Sequence, residues 1–234
     1  MISYKETERM GCCPLYGIAV PNTENRINER THMMKTFNEL KASAKTQIKG
    51  KIGILFAMFL IMIVILIGVS IASRFVPVLG FIANQLVNVA FYLGGAWVFL
   101  RIAKGEEVSV GNIFYGFEDL WTAIKAQFFM CLFTLLWSLL LIIPGIIKAY
   151  AYSMTFYILA ENKGMPVLEA ITLSRKMMNG HKMDFFLLSL SFIGWFILVA
   201  ITFGIAGIWV YPYFYATLTN FYLSVKEDYI SKLG

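Results

Sequence analysis

Few side chains in this 234-residue chain are of a kind that does chemistry, and the densest group lies in the run EAITLSRKMMNGHK at residues 169–182. Arg175 offers a planar guanidinium fork, and Lys176, His181 and Lys182 offer further N–H donors close behind it. Cations in that pattern suit the phosphate of a lipid head group, which they match in charge and in bidentate geometry. The same residues also fit a plainer role. Pro166 suits a helix's first turn and Gly180 the position just past its end. The cations would then complement a helix dipole and fix topology on the cytoplasmic side of a membrane. Val167, Ile171, Ser174 and Met178 share the opposite face of that helix. A second polar group, Asn84, Gln85 and Asn88, sits inside an apolar run. Amides there either bond across helices or line a path for a transported substrate. Ala90 and Gly94, four apart, allow close approach of a neighbouring backbone.

Other chemistry finds no foothold. The chain has only two histidines, His32 and His181, and no H-E-x-x-H, G-x-S-x-G, Walker A or G-x-G-x-x-G run. The serines at 138, 153, 189 and 191 have no base near them in sequence and read as hydroxyls bonding back to helix carbonyls. No cofactor, metal or nucleic acid is expected. Cys12, Cys13 and Cys131 form no disulfide framework.

The elements that must carry these groups follow from composition. The chain is 59% hydrophobic and 15% charged, with a mean hydropathy of +0.69, against about 25% charged for a soluble domain. An all-α integral membrane protein is expected, a six-helix bundle with spans at about 52–73, 79–100, 126–143, 146–160, 185–203 and 207–225, each long enough for a bilayer core or nearly so. Residues 1–33 read as a poorly ordered extension and 34–234 as a single membrane domain. Two amphipathic interfacial helices are predicted, one around Ile113, Phe117, Leu120, Trp121 and Ile124, the other over 166–180. Pro144 and Gly145 are read as a tight turn between two short spans, because proline stops the incoming helix and glycine lets the chain reverse. Charge supports that hairpin. With six spans and the N-terminus inside, eighteen of the twenty lysines and arginines face the cytoplasm. Only Arg74 and Lys148 fall outside, Lys148 reaching the outer interface by snorkelling. Five spans would leave twelve inside and seven outside.

The segments LLLIIPGIIKAYAYSM, EAITLSRKMMNGHK, SFIGWFIL and YPYFYATLTNFY resemble a family of small multi-pass membrane proteins found mainly in Gram-positive bacteria, known as a domain of unknown function, number nine-seven-five in its series. The resemblance runs from about Met34 to Lys226. It implies a polytopic plasma-membrane protein and brings no activity, substrate or catalytic residue. A more distant likeness, through the Pro-Gly pair and the following helix, is to the membrane region of some bacterial glycerophosphodiester phosphodiesterases, whose hydrolase chemistry belongs to a separate soluble domain. The expected function is a non-catalytic module, with both termini cytoplasmic, that binds anionic membrane lipid or a membrane-protein partner through its basic face. The alternatives are a carrier or export component using Asn84, Gln85 and Asn88, and an integral-membrane enzyme.

Overall fold

The computed structural model describes residues 36–140 and 142–232, and for residues 140 and 142–144 it describes the backbone alone. The expectation for residues 1–33, and with it Cys12 and Cys13, lies outside the described residues. Among the described residues every regular element is helical. The order is α1 (Phe37–Ile48), α2 (Ile52–Ala72), α3 (Pro77–Ala103), a 3-10 turn (Val110–Phe114), α4 (Tyr115–Glu118), α5 (Leu120–Leu140), α6 (Ile142–Tyr152), α7 (Thr155–Glu161), α8 (Val167–Met177), α9 (Lys182–Leu190), α10 (Ile193–Ile201) and α11 (Gly207–Ser231).

Four helical stretches are long and apolar enough to cross a membrane: Ile52–Ala72, Pro77–Ala103, Leu120–Leu139 and Lys182–Ile201. The last runs through the turn at Ser191-Phe192 that separates α9 from α10. Two segments read as spans, 146–160 and 207–225, are not among them. The first is interrupted at Ser153-Met154, between α6 and α7. The second, α11, is long enough but carries tyrosine, threonine and asparagine along its length, and Thr217, Thr219, Asn220 and Tyr222 are all buried. A helix wrapped by other helices has no need of a lipid-soluble surface.

The well-packed core joins α1, the first half of α2, the second half of α3, the segment around Ile113 and α11. Away from that end, apolar side chains are left uncovered. Val78 is 75% exposed, Leu139 83% and Phe203 98%. α1 begins with the Glu39 carboxylate accepting the Thr36 N–H (2.7 Å). It buries Leu40, Ala44 and Ile48, spaced four apart on one face. Gln47 and Asn220 of α11 exchange two amide hydrogen bonds (3.1 and 2.8 Å).

α5 and α6 lie side by side and run in opposite directions. Phe133 meets Tyr152 (centroids 6.3 Å apart), Lys148 sits on the Trp137 ring (4.3 Å), and a Cβ at Gly145 would overlap Ser138. Because α6 already begins at Ile142, Pro144 and Gly145 fall in its first turn rather than in the connection. Proline is tolerated there since its missing N–H has no helical partner to lose. Gly145 provides the close approach to Ser138.

Lys148 lies near the cationic end of α8. Ser174 of α8 donates to the Ala151 carbonyl of α6 (2.8 Å) in a buried contact. Tyr150 packs edge-on against Phe185 of α9 (5.5 Å). Arg175 and Lys182 therefore come close enough to Lys148 for their charges to act on it. The C-terminal half of α6, a helix of 11 residues, about 16 Å, lies against α8.

The predicted amphipathic helix around 113–124 is also divided. Val110–Phe114 and α4 pack against α3, where a Cβ at Gly94 would overlap the Ile113 carbonyl and one at Gly116 the Ala90 carbonyl. Asp119 breaks the helix, and Leu120 to Ile124 open α5. The close approach expected of Ala90 and Gly94 is thus made to the chain's own 110–118 segment.

Candidate functional site

α8 is held by a buried face of Val167, Ala170, Ile171, Leu173, Ser174 and Met177, which turns Arg175 and Lys176 outward. Gly180, at φ 94°, supplies the left-handed residue that lets the chain leave α8 and enter α9. Of the four sequence-predicted cations, His181 is spent within the protein. Its Nδ1 lies 3.3 Å from Asp184 and its Nε2 2.8 Å from Asp228 of α11, and Asp228 also pairs with Lys232. Burial alone would raise the Asp228 carboxyl, but the hydrogen bonds and charges of Lys232 and His181 hold it below the usual carboxylate range.

Arg175 and Lys182 remain, with Lys176 beside them on the exposed side. Lys148 is the addition, and sequence reasoning missed it as a member. None of these four cations has an ion pair among the described residues. The signal was present: Lys148 is the single charge in residues 126–160, and a lone ionisable group in an apolar stretch marks a functional place more often than not. Lys148, Arg175 and Lys182 come from three different helices, and Lys148 rests on the Trp137 ring.

The three amides of α3 separate. Asn84 donates to Ser70 Oγ of α2 (3.3 Å), and Asn88 donates to both the carbonyl and the side-chain oxygen of Asn84 (2.8 and 2.7 Å). Gln85 is exposed on another side of α3. Only Asn88 reaches the internal cavity of about 630 Å³ between α2, α3, α5, α7, α9 and α11.

A further polar group had no motif to announce it. Glu161, at the end of α7, accepts from Lys226 (2.7 Å) and Tyr222 (2.7 Å) of α11 and from Lys104 (3.0 Å) just after α3. Burial pushes its carboxyl up, yet those donors outweigh burial and hold it below the ordinary range. Nearby, Lys51 Nζ donates to the Glu106 carbonyl (2.7 Å) and Lys163 pairs with Glu118 (3.6 Å). These contacts gather the start of α2 and the ends of α3, α4, α7 and α11 at one charged end. Among the described residues no group of three His, Cys, Asp or Glu could hold a metal ion.

No curated protein and no solved structure matches the chain. The family model described as "Protein of unknown function (DUF975)" matches residues 33–149 and 139–229. The two matches meet in the α5–α6 hairpin and together take in the charged end, the cationic group and the cavity, so this chain belongs to the DUF975 family.

Proposed function

We propose that this is a multi-pass plasma-membrane protein whose charged end faces the cytoplasm, and that it acts as a non-catalytic module holding the phosphate of anionic lipid between Lys148, Arg175 and Lys182. One observation carries the reading: three cations converge from α6, α8 and α9 with no carboxylate among them. Cytoplasmic placement is supported by charge. Among the described connections at the opposite end, Arg74 in the α2–α3 turn is the one cation, as expected of an outer loop. On this reading both the start of α2 and the end of α11 are cytoplasmic.

The position of Lys148 favours four full crossings, α2, α3, α9–α10 and α11, in place of six. Arg175 and Lys176 are exposed, so they belong at head-group level, where charge is cheap to hold. Lys148 lies beside Arg175. From Lys148 to the start of α6 is six residues, about 9 Å, against a hydrocarbon core of about 30 Å. The α5–α6 hairpin then enters and leaves from the cytoplasmic side, with its tip inside the bilayer.

Two measurements test this. Native mass spectrometry of the purified protein at fixed salt should show retained phosphatidylglycerol. Lys148→Ala and Arg175→Ala should each lose it, while phosphatidylcholine retention stays the same in all three proteins. Equal phosphatidylglycerol retention in the variants would remove the site. For the hairpin, a cysteine at Ile143 in a Cys131→Ser background should resist a membrane-impermeant maleimide added to intact cells. Labelling there would restore six crossings.

A further inference from the structure

The cavity of about 630 Å³ is separate from the cationic group and has a lining of a different character. It is mainly apolar and aromatic, and no Asp, Glu, Lys, Arg or His takes part. Its polar groups are all uncharged: the amides of Asn88 and Gln127, the Ser153 hydroxyl, and the phenols of Tyr92, Tyr157, Tyr211 and Tyr215. Asn88 commits its N–H₂ to Asn84, so its own oxygen is left as an acceptor. Tyr157 lies against the Thr219 hydroxyl. Tyr215 lies near both Tyr92 and Tyr211, and all three line the cavity.

The rings that carry those hydroxyls are braced. Tyr92 stacks on Phe156 (6.1 Å), Tyr211 packs on Phe59 (5.5 Å) and Tyr215 stacks on Phe99 (5.7 Å). Donors held in place before a ligand arrives give it specificity at little ordering cost. The volume falls in the range of small-molecule sites, which are likewise mostly apolar with a few placed polar groups. Tyr92 is 54% exposed and Gln127 is exposed as well. Both stand where α3 and α5 border the cavity, so it opens sideways, between helices whose outer surfaces are apolar.

We infer that this cavity binds an uncharged long-chain lipid, its hydroxyl or ester oxygens placed among the tyrosine hydroxyls and Asn88 and its chain along the apolar wall. A phosphate or ammonium head would enter without a counter-charge and lose its hydration, which excludes charged lipids. A pure hydrocarbon would offer the polar groups of the lining nothing to bond to, which disfavours it. The shared chemistry is a neutral oxygen-bearing head on a long apolar chain, as in an acylglycerol or a long-chain alcohol.

Gly95 provides a clean test. It lines the cavity, and a Cβ added there meets nothing within 4 Å. The Cβ of Gly95→Leu therefore enters open space and carries the rest of the side chain toward the cavity, and within a helix the change replaces a poor helix former with a good one. Purified full-length protein would be incubated separately with dioleoylglycerol, geranylgeraniol, octadecane and dioleoylphosphatidylglycerol, then read by native mass spectrometry. At least one of the two neutral lipids should be retained, and which one identifies the source. Gly95→Leu should reduce that retention by about tenfold or more, with melting temperature unchanged or raised. Tyr215→Phe, which keeps the ring, should bring retention of the neutral lipid down toward that of octadecane. Dioleoylphosphatidylglycerol should be held equally by wild type and Gly95→Leu. Retention of neither neutral lipid, equal retention in Gly95→Leu, octadecane held as firmly as the alcohol, or loss of the phospholipid in Gly95→Leu would each overturn the inference.

Discussion

Replacing Glu161 by alanine should unfold the charged end more readily than any nearby surface change. The carboxylate accepts from Lys226, Lys104 and Tyr222. The side chains of Glu161 and Lys226 are only 13% and 12% exposed. Without Glu161 the Lys226 ammonium is left largely buried with no counter-charge, and the Tyr222 hydroxyl has lost its acceptor. Removing one partner of a buried pair costs about 3–5 kcal/mol. Lys104 is 44% exposed and adds at most about 1 kcal/mol. Since the pair is near the surface rather than deep, the low end applies, a loss of about 3 kcal/mol. The assay is thermal unfolding in detergent, with Lys226→Met and the Glu161→Leu/Lys226→Met pair alongside. The double variant should recover most of the loss, because it leaves no unpaired charge. Protonation should act like the substitution. The folded carboxyl lies below its unfolded value, so the unfolded chain takes up protons first as pH falls. The stabilisation is present above about pH 4–5 and is lost as pH drops below that range. A Glu161→Ala protein within about 0.5 kcal/mol of wild type, or a double variant worse than either single one, would refute this account.

Gly116→Ala should destabilise by about 3 kcal/mol or prevent folding, because the new Cβ would meet the Ala90 carbonyl, and a backbone atom cannot swing aside; yield and melting temperature give the answer. Arg175→Lys should keep topology yet weaken phosphatidylglycerol retention by roughly tenfold, since a point charge replaces a two-pronged donor; native mass spectrometry at constant salt reads it. Reporter fusions after Lys163 and at Gly234 should both report the cytoplasm, and an outer signal at either would invert the orientation. A protein starting at Met34 should reach the membrane at similar yield, since the family match begins at residue 33.

What the sequence made legible was mostly local. The span read at 52–73 is α2, Ile52–Ala72, because an unbroken apolar run has one helical solution. Where two signals competed, the reading failed at the seam. The apolar face of Ile113, Phe117 and Ile124 looked continuous, but Asp119 breaks the helix and Gly116 draws α4 onto α3. Pro144 and Gly145 announced a hairpin, and helicity resumes two residues earlier because proline is at home in a first turn. The cations at 175, 176 and 182 were visible as a cluster. Lys148 was not, since what joins it to them is the Ser174 contact with Ala151, 23 residues away. Glu161 and Lys226 are 65 apart, and no periodicity links such a pair.

The paired amides of Gln47 and Asn220 also set an order of events during synthesis. They are 173 residues apart, so α1 is synthesised well before α11. At a synthesis rate of about 5–20 residues per second, α1 waits roughly 10–35 s for α11. For that interval Ala44 and Ile48 can pack only on the part of their core that α2 and α3 supply, and Gln47 has no partner amide. α11 is made long after the helix it seats, so a chain cut short before α11 carries an unpaired Gln47 amide by which quality control can recognise it.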